Sequence, residues 1–115
     1  MRLKSAIWVA AHVRRCYFEG ATAVVRRRGA EDAGAIFVKV SRLDGTAALF
    51  GPAPQSAFSE ARPSDRLFIS CFAGTFVPEA DVEARISRES SFDPDLWIVE
   101  VEDRTGRHFL ELAAG

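Results

Sequence analysis

The sequence is poor in the residues from which specialised sites are usually built. Two cysteines, two histidines, one methionine and one tyrosine occur among its 115 residues. Cys16 and Cys71 stand far apart, with no CxxC spacing and no pair of histidines beside them, so neither a disulfide framework nor a zinc site is indicated. Both read as buried thiols in a reducing compartment. No apolar run approaches the roughly 20 residues of a membrane span, and Ile7 to Val13 is broken by His12. A secretory signal is missing as well: Arg2 and Lys4 precede an apolar patch, but Arg14, Arg15 and Cys16 stand where a small-residue cleavage site belongs. The N-terminus therefore reads as mature and cytoplasmic. The chain also lacks a glycine loop that could cradle phosphate, a GxSxG elbow around Ser70-Cys71 and a cluster of metal ligands. No catalytic residue, metal or cofactor is expected, and a small enzyme is the disfavoured class.

What is present is apolar mass in short pieces. About half the residues are hydrophobic (48%), enough for one core, so residues 1–115 are read as one domain without a linker. Net charge is −1, but its distribution is lopsided: residues 1–42 carry +6 and residues 43–115 carry −7. Such asymmetry marks either a nucleic-acid face or two halves that neutralise each other, and the near-zero total favours neutralisation.

The spacing predicts a helix over Ser5 to Phe18, with Ala6, Val9, Ala10, Val13, Cys16 and Tyr17 on one core-facing stripe. Ser5 is its expected cap and Gly20 its stop. Ala21 to Phe50 reads as a three-strand meander. Ile36, Val38 and Val40 alternate toward a core, Asp44-Gly45 closes a tight hairpin to Thr46–Phe50, and Gly29 to Gly34 forms a looser turn. Pro52 and Pro54 exclude a central strand in the irregular segment that follows, where Phe58 is expected to pin the loop. Arg66 to Phe72, apolar on both faces, reads as a central or covered strand. Pro78 to Ser91 reads as a second helix, acidic at its start and able to bury little beyond Val82 and Ile86. Leu96 to Glu102 and Arg107 to Leu112 read as a closing hairpin. The expected fold is α+β: an antiparallel sheet of five or six strands, meander plus C-terminal hairpin, with two helices on it.

Candidate binding residues come from two places. Trp8, His12 and Arg15 share a second stripe of the first helix, where an indole can stack and a guanidinium can hold an anion; alternatively, Trp8 covers a sheet edge and His12 sits on a wet flank. Arg26, Arg27 and Arg28 follow one another on a strand, which puts Arg26 and Arg28 on one face, and Lys39 or Arg15 would complete an anion site there. The bland account is a charged strand end leaving the core. Glu100 and Glu102 share a strand face, but no histidine stands beside them, and they are expected to meet Lys39 and the arginines instead.

The blocks IWVAAHVRRC, AVVRRRGAEDAGAIFVKV, RLDGTAALFGPAP and FDPDLWIVEVEDRTGRHF, in that order and over nearly the whole chain, resemble a family of short alphaproteobacterial proteins known only as domain of unknown function 1491. The resemblance implies a bacterial, cytosolic protein and supplies no reaction, cofactor or functional residue. Function is therefore read from the residues alone. The favoured expectation is a non-catalytic accessory or protein-interaction domain whose basic face around Arg15, Arg26 and Arg28 meets an acidic surface of a second copy, as a homodimer, or of another protein. The alternative is a binder of RNA, DNA or a phosphorylated metabolite through the same arginines with Trp8.

Overall fold

A computed structural model describes residues 3–54 and 66–113. Their order is α1 (Ser5–Phe18), β1 (Thr22–Arg27), β2 (Ile36–Ser41), β3 (Thr46–Pro52), β4 (Phe68–Ser70), β5 (Val77–Pro78), α2 (Glu79–Phe92) and β6 (Trp97–Glu102). The six strands form one sheet in the order β1-β6-β2-β3-β4, with β5 alongside β3. The class is α+β as expected, but the sheet is mixed: β6 runs parallel to β2 while the other pairings are antiparallel.

That parallel pair overturns the meander. β1 and β2 do not pair; β6 lies between them, with Val25 opposite Val99 on one side and Val38 opposite Val99 on the other. Burial accounts for the arrangement. β6 carries apolar side chains on both faces and gains most from a central place, whereas β1 is largely exposed and holds arginines, which suit an edge. A parallel neighbour needs a long crossover, which the β3–α2 stretch supplies.

Residues 29–34 are consequently not a hairpin turn but a clamp around the entry to β6. Ala30 N–H donates to the Asp95 carbonyl, Trp97 Nε1–H donates to the Ala30 carbonyl, and the carbonyls of Glu31 and Asp32 accept from Ala6 and Ser5 at the start of α1. Those two carbonyls take over the capping expected of Ser5, whose hydroxyl donates to Gly34 O instead. Glycine is required at the clamp by contact: a Cβ on Gly29 or on Gly34 would run into the Asp95 carbonyl oxygen.

Other expectations shift locally. β3 runs on through Gly51 and Pro52, because β4 supplies partners there. β4 is shorter than expected and lies at the edge. Its Phe68 is buried under Trp8 of α1, while Phe72 joins the α2 side. The predicted strand Arg107 to Leu112 is absent. Asp103 holds Arg107 by three hydrogen bonds, and only Leu112 makes an isolated bridge, parallel to Phe68. Phe58 lies outside the described residues.

The sheet divides the core. On one face, α1 covers Ile36, Val38, Val40, Trp97, Val99 and Val101; on the other, α2 lays Val82 and Ile86 on Phe37, Leu49 and Ile98. The stripe of α1 is rotated from the expected one: Val9 and Cys16 are buried with His12, whereas Ala10 and Tyr17 are exposed. Among the described residues no helix is long and apolar enough to cross a membrane.

Candidate functional site

The six residues singled out from the sequence fall in three places. Arg26 and Lys39 reach the α2 face. The Arg26 guanidinium binds Glu83 through both terminal nitrogens, at 2.7 and 2.8 Å, and donates to Glu100 at 3.0 Å. Lys39 Nζ, on a residue 5% exposed, lies 2.6 Å from Glu83, 3.1 Å from Glu79 and 3.6 Å from Glu100. Burial opposes the lysine's charge, but the glutamates outweigh it and its pKa is raised. Hydrogen bonding from Arg26, aided by Lys39 against the cost of burial, draws the Glu83 carboxyl down to about 2. Basic residues of the first half thus lie against acids of the second, as the charge distribution led one to expect.

A bulge between Val25 and Arg27 breaks the strand alternation. Arg26 and Arg28 therefore do not act together: the Arg28 guanidinium lies over Trp97, a ring of the α1-side core, at 5.1 Å, and Arg27 donates to Pro94 O. The basic face expected around Arg15, Arg26 and Arg28 is not a single surface.

Trp8, His12 and Arg15 do come together. With Leu3, Ala11, Arg66, Phe109 and Glu111 they line a cleft of about 310 Å³. His12 is 4% exposed, not on a wet flank. Its Nε2 lies 3.0 Å from His108 O, and a carbonyl only accepts, so the proton sits on Nε2. Burial lowers the His12 pKa, with the charge of Arg15 adding to it, so the ring is neutral and Nδ1 keeps a buried lone pair with no partner among the described residues. The indole of Trp8 stacks on this imidazole at 4.8 Å and tilts against Phe68 at 5.1 Å. Its contacts are largely internal, which favours a packing role over stacking on a ligand.

A third feature was not foreseen. Phe18 is 83% and Tyr17 57% exposed at the end of α1. With Ala10, Val13, Arg14 and Val25 they form an almost wholly apolar groove of about 640 Å³ between the helix and the edge strand β1. The available signal was that Phe18 fell off the core stripe at the helix end. Tyr17 satisfies the spacing of that stripe and so gives no such signal.

Catalytic machinery is sparse among the described residues. No three His, Cys, Asp or Glu side chains are arranged to hold a metal ion, and the glutamates around Lys39 already have its ammonium at their centre. Burial raises the Cys16 thiol to about 11 and pushes Cys71 upward too, which removes the thiolate a nucleophile needs.

No curated protein matches the chain. Solved structures do. A DUF1491 family protein from Caulobacter crescentus, determined by crystallography, is 42% identical with full coverage of both chains and a TM-score of 0.79. Protein Atu0922 from A. tumefaciens, determined in solution, is 41% identical over all of this chain and 98% of its own, with a TM-score of 0.82. Residues 3–111 match the family model described as "Protein of unknown function (DUF1491)". The chain therefore belongs to the DUF1491 family, a bacterial family of unknown function, as its sequence blocks implied.

Proposed function

We propose that this protein is a non-catalytic accessory domain that works by binding a protein surface, and that it does so through the end of α1 and the adjoining edge of β1. The observation that carries the reading is the exposed pair Tyr17 and Phe18 beside a strand whose outer edge has no partner strand among the described residues. Large exposed aromatics around an apolar groove mark interaction sites, whereas scattered apolar side chains do not. This apolar surface makes the contact in place of the basic face expected around Arg15, Arg26 and Arg28, because Arg26 is held by Glu83 and Glu100 and Arg28 lies over Trp97. A cytoplasmic location accompanies the reading: Cys16 and Cys71 are unpaired thiols on opposite sides of the sheet, which suits a reducing compartment.

A photo-crosslinking amino acid at position 18 tests this in the native cell. It should give a discrete protein adduct, while the same probe at Phe92, equally exposed at the far end of α2, should not. No adduct from position 18, or equal adducts from both, would sink the reading.

One observation favours a second reading, a small phosphorylated or carboxylate ligand: the Arg15 guanidinium lines the same cleft as Trp8 and His12. Nucleic acid is the less suited form of that ligand, since the arginines available for it are dispersed. Titration with inorganic phosphate and with a fluorescent oligonucleotide at low salt separates the two, because counterion release makes oligonucleotide binding strongly salt-dependent. Absence of both signals, with phosphate taken to millimolar concentration, removes this reading.

A further inference from the structure

We infer that residues 107–113 are a pH-operated strap over the α1 face of the sheet, latched while His12 and His108 are neutral and loosened when the two rings take up protons. Asp103 fastens the start of the strap by holding Arg107, and β4 fastens its end, where Phe68 N–H donates to Glu111 O and Ala113 N–H donates to Phe68 O. Between these points Phe109 and Leu110 pack against the α1-side core. The backbone there bends through Phe109 at φ +57°, a left-handed conformation that a phenylalanine keeps only when its surroundings hold it.

Two imidazole contacts hold that bend. His12 Nε2–H donates to His108 O at 3.0 Å, and His108 Nδ1 accepts from Leu110 N–H at 2.8 Å. Both rings must be uncharged. An amide nitrogen only donates, so a proton on His108 Nδ1 would set donor against donor. On His12 the added proton would go to Nδ1, which is buried with no partner among the described residues. The groups packed around His12 do not relieve this. α1 brings Arg15 and the Cys16 thiol, which burial keeps protonated; the strap brings His108 and Glu111; the approach to β4 brings Arg66, bonded to Leu3 O and Ser5 Oγ; β4 itself brings the Phe68 ring, and β3 lays Phe50 on His108. Of these, Arg15 and His108 act on the His12 ring by charge, and both oppose a proton there.

Burial lowers the proton affinity of both rings in the closed strap. The latch is therefore complete above the ordinary histidine value of 6.5 and weakens as pH falls from there toward the lowered values of the closed state. Each ring can change the open-to-closed ratio by up to roughly tenfold per pH unit in that window. Glu83 and Asp103 keep their charge at pH 5, so α2 and the root of the strap stay fastened. Loosening takes Phe109 and Glu111 away from the cleft they line with Trp8 and Arg15, and frees the Phe68 amide and carbonyl at the sheet edge.

Amide hydrogen exchange at pH 7 and pH 5, expressed as protection factors, reads the strap directly. Protection of Phe68, Leu110 and Ala113 should fall about tenfold or more at pH 5, while the amides of β2 hold. The paired variant His12→Gln with His108→Asn keeps a donor for the carbonyl of residue 108 and an acceptor for Leu110 N–H but does not titrate, so its strap should be equally protected at both pH values. A wild-type strap equally protected at pH 7 and pH 5 overturns the latch, as does a fall shared by β2. Loss of protection in the paired variant as large as in the wild type overturns it too, because other groups would then carry the protons. If the variant misfolds, NMR titration of the wild-type imidazoles decides: both rings titrating below 6.5 supports the latch, and either titrating at 6.5 or above overturns it.

Discussion

The two helices are fastened to the same sheet by different physics. α1 buries Val9, Cys16 and His12 against a face made wholly of apolar side chains, and the first-turn amides of Ser5 and Ala6 are tied to a loop that also holds Trp97. α2 offers only Val82 and Ile86, and its first two turns are held instead by Glu79 and Glu83 reaching Lys39 and Arg26. Apolar contact is strong but undirected, so it tolerates sliding. A bidentate guanidinium pair is weaker in net energy but specifies position. A helix with a thin apolar side thus acquires its register from charge, and the buried Lys39 costs least where three carboxylates surround it.

The largest expected difference between the layers comes from Trp97→Ala. This removes a ring 1% exposed, together with its bond to Ala30 O, and should cost about 3–5 kcal/mol in urea denaturation. Lys39→Met on the opposite face should cost about 2 kcal/mol. That is below the ~3–5 of a fully enclosed pair, because Glu79 and Glu83 stay partly exposed and Arg26 remains. If Lys39→Met proves neutral, charge is not what positions α2.

A smaller effect should appear with pH. The Glu83 carboxyl is depressed from 4.5 to about 2, so its contribution is fully present above about pH 4.5 and is lost as pH falls through about 2. Glu83→Gln should reduce the acid slope of stability, measured by thermal melts between pH 6 and 2. An unchanged slope would assign acid sensitivity elsewhere, with Asp103, held low by Arg107, as the next group to replace. The smallest effect belongs to Phe18→Asp, which should change monomer stability by no more than about 0.5 kcal/mol because the ring touches so little of the core. A large loss would make Phe18 a structural residue and remove the premise of the docking face.

Periodicity located α1 to the residue, and Val82 and Ile86 as the buried side of α2, because both signals are local. It misplaced the face of α1. Tyr17 and Ala10 satisfied the spacing as well as His12 did, and spacing does not say which of two adjoining stripes meets the sheet. The same limit hid the groove, since exposure of Tyr17 depends on where β1 lies. The Arg26–Glu83–Lys39 cluster was half legible: charge totals pointed to internal pairing, and Glu100 was paired with Lys39 on strand parity alone. Glu79 and Glu83 were missed because their distance from the sheet depends on how α2 docks.

Sequence alone determined the helices, the alternation of β2 and β6, the glycine-marked turn at Gly45 and the sign of each half, all consequences of contacts within a few residues or of simple sums. Tertiary structure alone decided that β6 separates β1 from β2, that Lys39 has three acids around it and that β1 has no second partner strand among the described residues. Strand order is settled by competition among segments for the two-faced interior, and that contest depends on every strand at once.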